Sequence, residues 1–148
     1  MFRVCILLYC CLLLGCGGSK PYNVQAVVTL DSTPLAEAEV TLVPMGKKGK
    51  SAIGITNAEG KAAFKTDEVD GVFPGSYVVT ISKEVEEKML SNNEIRSFAA
   101  VGIRYRPKMI ELVPEKFTRR ENSNLKAKVG YWHSPILTFN LRTEELTP

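Results

Sequence analysis

Pro74-Gly75-Ser76-Tyr77-Val78-Val79-Thr80-Ile81-Ser82-Lys83 carries the clearest strand signal in the chain. Tyr77, Val79 and Ile81 fall on every second position, so an extended backbone puts all three on one face. Its β-branched and aromatic residues suit a pleated, half-buried surface. Pro74-Gly75 ahead of it is turn chemistry, since Pro fixes φ and Gly accepts either sign of φ. A strand launched from a turn is the result.

The same period recurs on the N-terminal side. Val24, Ala26, Val28 and Leu30 alternate with Asn23, Gln25, Val27 and Thr29, which predicts a first strand. Asp31-Ser32-Thr33-Pro34 reads as a turn, and a second strand runs over 38–43 with Val40 and Leu42 facing one way. Pro44 to Lys50 is a polar loop. A third strand covers 52–56, in which Gly54 marks either a bulge or a close backbone approach. Asn57-Ala58-Glu59-Gly60 predicts a tight hairpin loop with Gly60 at positive φ. The fourth strand, Lys61 to Thr66, buries Phe64, and 67–73 makes a longer connection.

Beyond Lys83 the alternation fails. Glu84 to Leu90 suits two helical turns stopped by Ser91-Asn92-Asn93, and 94–109 mixes apolar and basic residues without a period. A long connection, 84–113, inside a small domain is usually functional or mobile. Pro114-Glu115-Lys116-Phe117 predicts a short turn or helical turn. Strands follow at 125–129 and 136–141, and residues 143–148 form a tail. Seven short strands with turn signals about 8–12 residues apart predict an all-β sandwich in one domain, 23–142.

The chain opens differently. Arg3 precedes an apolar run, Val4 to Leu14, and then Gly15-Cys16 and the flexible Gly17-Gly18-Ser19-Lys20-Pro21. The run is too short to span a bilayer permanently, which takes about 20 apolar residues, and matches a secretory signal peptide at 1–15. Leu13-Leu14-Gly15-Cys16 resembles the bacterial lipobox, which implies cleavage before Cys16 and acylation of that residue. Residues 16–22 are then a lipidated cysteine and linker, and the membrane is a partner through the anchor. Each buried methylene contributes roughly 0.8 kcal/mol, so two or three chains hold almost irreversibly. Gly17 rather than Asp after the cysteine implies, by analogy, the outer membrane facing the periplasm.

Charge and cysteines narrow the function classes. Of four cysteines, Cys5, Cys10 and Cys11 leave with the signal and Cys16 carries lipid, so packing alone stabilises the mature body. The net charge of +3 becomes +2 without Arg3. Basic clusters at 47–50, 104–108 and 119–120 are short and separated, which predicts solvated loops and no nucleic-acid partner.

Val28-Thr29-Leu30-Asp31 with Pro34-Leu35 and Ala38-Glu39-Val40-Thr41-Leu42-Val43-Pro44 resembles the opening of bacterial carboxypeptidase regulatory-like lipoproteins, with its first strand, Asp-Gly-Lys-Pro-Leu and second strand. Gly54-Ile55-Thr56-Asn57-Ala58-Glu59-Gly60 is similar to their Gly-x-Thr-Asp-x-x-Gly, and Pro74 to Ile81 to their Pro-Gly-x-Tyr-x-Val-x-Ile. Pro114 to Phe117 and Ser123-Asn124-Leu125 resemble the final third. Ser32-Thr33, Asn57 and Asn124 depart from the usual Gly-Lys, Asp and Gly, all at turns. The resemblance implies a seven-stranded Greek-key sandwich of transthyretin (prealbumin) type with no established catalytic site to transfer.

Chemistry-bearing residues are sparse. His133, the single histidine, sits in Gly130-Tyr131-Trp132-His133-Ser134-Pro135, where adjacency to Ser134 does not supply a triad. One histidine and one acylated cysteine do not make a transition-metal set. Asp67-Glu68-Val69-Asp70-Gly71 offers three side-chain donors where calcium takes six to eight oxygens. Hydroxyisourate hydrolases share the implied fold, but this chain lacks their C-terminal Tyr-Arg-Gly-Ser and their several histidines. Tyr131, Trp132 and Phe73 are the candidate contact residues, on loops. The expectation is a non-enzymatic envelope lipoprotein with no cofactor or metal, binding an unknown protein or glycan. The alternatives are a small-ligand carrier of transthyretin type and an accessory module of an envelope hydrolase.

Overall fold

The computed structural model describes residues 20–87, 90–102, 104, 106–130 and 136–143. These are dominated by strands. In chain order they are β1 (Gln25–Leu30), β2 (Thr33–Pro34), β3 (Glu39–Pro44) and β4 (Ala52–Ile55). Next come β5 (Lys61–Ala63), β6 (Lys65–Thr66), β7 (Val69–Asp70), β8 (Gly75–Ser82) and β9 (Glu84–Glu86). Helix α1 (Asn92–Ala100), β10 (Met109–Glu111), helix α2 (Glu115–Thr118), β11 (Lys126–Val129) and β12 (Ile136–Leu141) complete the chain.

Strand β8 lies inside the larger sheet, whose order is β11-β8-β3-β4-β6-β7, every neighbour antiparallel. Its alternation is realised as expected: Tyr77, Val79 and Ile81 are buried, as are Val40 and Leu42 across the ladder on β3. In the second sheet β1 runs parallel to β12 over six pairs, from Gln25↔Ile136 to Leu30↔Leu141. Its remaining partners are β5 at Gln25–Val27 and β2 at Thr29–Leu30. Val24, just ahead of β1, and Ala26 and Val28 within it join Phe139, Tyr77, Val79 and Ile81 in one buried cluster, so the two sheets share a single core. Burying each Val, Leu or Ile contributes roughly 1.5–3 kcal/mol.

The fourth predicted strand, Lys61 to Thr66, divides at Phe64. Lys61–Ala63 pairs with β1 in one sheet and Lys65–Thr66 with β4 in the other, with Phe64 buried at the corner. Gly54 is explained by the close approach and not by a bulge: a Cβ there would lie 2.6 Å from the Ala63 carbonyl oxygen. The hairpin loop at 57–60 forms as predicted, with Gly60 at φ +72°. The Asn57 Oδ1 accepts from the Glu59 and Lys61 N–H groups at 3.0 and 2.9 Å.

The connection after β8 corrects the sequence reading. Glu84–Glu86 is strand, paired antiparallel with Met109–Glu111, where helical turns were expected. The helix instead starts where a stop was expected. Ser91 is its N-cap: its side chain accepts from the Glu94 N–H while Glu94 reaches back to the Ser91 N–H at 2.8 Å. The same Ser91-Asn92-Asn93 that looks like a breaker is therefore a helix-starting cap. None of the helix's residues is buried.

The two ends of the body differ. One end gathers Tyr22, bridged to Val72, with Gly75 opposite Val129 and Gln25 opposite Ile136. The loop after β3 belongs there too, since Met45 N–H donates to the Ser76 carbonyl at 2.9 Å. The other end gathers Ser82 opposite Glu39, and Leu30 opposite Leu141. The chain enters at the first end, and the β9–β10 arm leaves from the second.

Candidate functional site

At the entry end, β8 begins after Phe73, the one expected contact residue within the described set. Phe73 is half-buried, and its carbonyl accepts from the Tyr77 hydroxyl at 2.6 Å. Burial pushes the Tyr77 pKa up, so the phenol stays protonated and works as a donor. This bond pins the turn at 73–75 to the first buried ring of β8. Cys16, Tyr131, Trp132, His133 and Ser134 lie outside the described residues. The described residues that flank 131–135 are Gly130, next to Val129, and Ile136. Val129 pairs with Gly75 and Ile136 with Gln25, which puts both flanks at the same end as Phe73.

That end also carries the lysine-rich loop. A cleft of about 570 Å³ runs between Pro44, Lys47 and Lys48 on one side and Pro74 and Tyr77 on the other. Lys50 pairs with Asp67 at 2.8 Å. Lys47 and Lys48 are exposed and make no ion pair among the described residues. Arg120 reaches the Pro44 carbonyl at 3.2 Å and holds the loop's start.

The far end carries the arm. Its root is fixed by the Glu111 carboxylate, which accepts from the Lys83 and Val113 N–H groups at 2.7 and 2.9 Å. Further out, Lys108 pairs with Glu87 at 2.7 Å on the ribbon surface. Ile95, Val101, Met109 and Leu112 are all more than one-third exposed. Between Ile95 and Ile110 the sequence has Arg96, Arg104, Arg106 and Lys108 and no carboxylate. A groove of about 730 Å³ lies at the root, walled by Glu84, Glu111, Glu115, Arg119 and Thr143. Arg119 pairs with Glu115 at 3.3 Å, one turn of helix away. The broken alternation marks 84–113 as a long functional or mobile connection without placing its elements; the Ser91-x-x-Glu94 capping box is the signal that marks a helix in it.

Among the described residues no three His, Cys, Asp or Glu side chains converge on a common point where a metal ion would sit. The buried hydroxyls are committed to structure. Thr56 donates to the Leu35 carbonyl at 2.5 Å and accepts from the Ala38 N–H at 2.8 Å, and Thr66 donates to the Gly71 carbonyl at 2.7 Å. What the described surface offers is two chemically distinct ends, one rich in lysine and one carrying an arm with exposed apolar residues. No helix of the described residues is long and apolar enough to cross a membrane. No protein family, curated protein or solved structure matches this chain.

Proposed function

We propose that this chain is a bacterial envelope lipoprotein, held by acyl chains on Cys16 in the outer membrane facing the periplasm, whose β-sandwich works by contact and not by catalysis. One observation carries the reading: the first described residues, Lys20 to Tyr22, leave the body at a single end, a few residues after the lipobox-like Leu13-Leu14-Gly15-Cys16. A tether attached at one end leaves the opposite end and its arm open to a protein or glycan.

The transthyretin-like, seven-stranded Greek-key reading of the sandwich is supported by strand placement. Strands fall at 25–30, 39–44, 52–55, 61–66 in two segments, 75–82, 126–129 and 136–141, close to the seven read from alternation. The test is metabolic labelling with a fatty-acid analogue in a bacterial host. Label on the wild-type chain and its loss in Cys16→Ser support the anchor, and equal label on both overturns it.

A further inference from the structure

We propose that the entry end of the body, with Lys47 and Lys48 at its tip, seats against the anionic phospholipid headgroups of the bilayer and so aims the arm away from the lipid. The inference rests on the lipid-anchor reading above and adds to it an orientation and a contact surface.

Tether length is the first reason. From Cys16 to Tyr22, where the backbone joins the body through its bridge to Val72, six residues extend at most about 20 Å. Strand β8 runs the body's length from Gly75 at the entry end to Ser82 at the arm's root, about 23 Å at ~3.3 Å per residue. The tether is shorter than the body. An inverted pose, with the arm in the headgroups and Tyr22 on the distal side, is out of its reach.

Charge is the second. Lys20, Lys47, Lys48, Lys50 and Lys65 lie toward this end against Asp67, Glu68 and Asp70, and of these Lys50 pairs with Asp67 and Lys65 with Asp70. A surplus of cations beside a lipid tether is attracted by an anionic leaflet within about a Debye length. Acyl chains and basic side chains then act as two signals on one surface. The apolar residues agree with this: Met45 and Ile136, at the rim of the same end, are 51% and 67% exposed.

The arm is the competing lipid-facing element, because the stretch from Ile95 to Ile110 is itself apolar and cationic. One experiment separates the two. The full chain is exported in a bacterial host with the fatty-acid label, either as Met45→Cys or as Val101→Cys; both positions are exposed, so neither change disturbs the core. Cleavage and acylation leave the introduced cysteine as the only free thiol. Each protein carries an environment-sensitive fluorophore there and is reconstituted into vesicles of phosphatidylethanolamine and phosphatidylglycerol containing a headgroup-level quencher lipid.

The expected result is at least threefold stronger quenching at position 45 than at 101. The difference should fall by half or more in phosphatidylcholine vesicles and in the double variant Lys47→Glu, Lys48→Glu. Equal quenching at the two positions, stronger quenching at 101, or no response to charge reversal overturns the inference while the label upholds the anchor. Absence of label overturns both.

Discussion

The Asp31 carboxylate, one residue past β1, accepts hydrogen bonds from both the backbone N–H of Thr143, at 3.0 Å, and its hydroxyl. Two residues 112 positions apart are thereby joined where the parallel β1–β12 ladder ends. The hydroxyl bond, then the backbone bond, hold the Asp31 carboxyl below its ordinary value of 3.8. A lowered folded-state pKa contributes stability above the unfolded value, and that contribution is lost as pH falls through the folded value. Asp31→Ala should therefore melt below the wild type at pH 7, with the gap closing at pH values under 3.8. Melting curves at both pH values check this, and a gap that widens in acid contradicts the pairing.

Ser32 follows Asp31 at φ +69°, with Asp31 itself at φ +49°, between the paired residues Leu30 and Thr33. Two successive positive φ values define the hairpin turn that Asp-Gly fits best. Ser32→Gly should raise stability by about 0.5–1 kcal/mol, the relief of a left-handed residue less the added freedom of glycine when unfolded. The urea midpoint is the measurement, and a lower midpoint refutes the strain.

Thr56 is a buried polar residue whose hydroxyl both donates and accepts. Its hydroxyl joins Leu35 and Ala38 across the turn that enters β3, and its backbone N–H donates to the Ala38 carbonyl at 2.9 Å. Thr56→Val keeps the shape and leaves a buried donor and acceptor unpaired, at about 2–4 kcal/mol. Thr56→Ser keeps both bonds and loses one methyl group, about 1 kcal/mol. Chemical denaturation of the two variants should rank them in that order.

The arm should behave as a separate unit of stability. Ser91→Ala removes one half of the capping box, at about 1 kcal/mol of helix stability. Because no residue of α1 is buried, the global unfolding midpoint should stay unchanged while amide exchange of 94–100 accelerates. A shift of the whole-protein midpoint would show that the helix is integrated with the body.

How much of this was legible in the sequence depended on the range of the interactions. Period two in Tyr77, Val79 and Ile81 sufficed to place β8, because one face of it is buried and the other is not. Phe64 was readable as core, but the switch of sheets at that residue was not, since alternation says nothing about which neighbour a strand takes. Glu84 to Glu86 suggested helix because Glu favours it; the pairing with Met109 to Glu111 that overrides this preference lies more than twenty residues away. The register also places the flanks of 131–135 beside Phe73 at one end, a relationship that local patterns do not encode. The Asp31–Thr143 clasp is of the same long-range kind.

The parallel ladder between β1 and β12 has a temporal meaning. A chain synthesised from its N-terminus presents β1 early, and the six-pair partner for that strand is the last strand among the described residues. Pairings of such separation make folding slow, since the intervening loop must close before they form. Until Ile136 to Leu141 are made, Val24, Ala26 and Val28 belong to a sheet missing a wall. Through that interval the apolar side of β1 stays open to water.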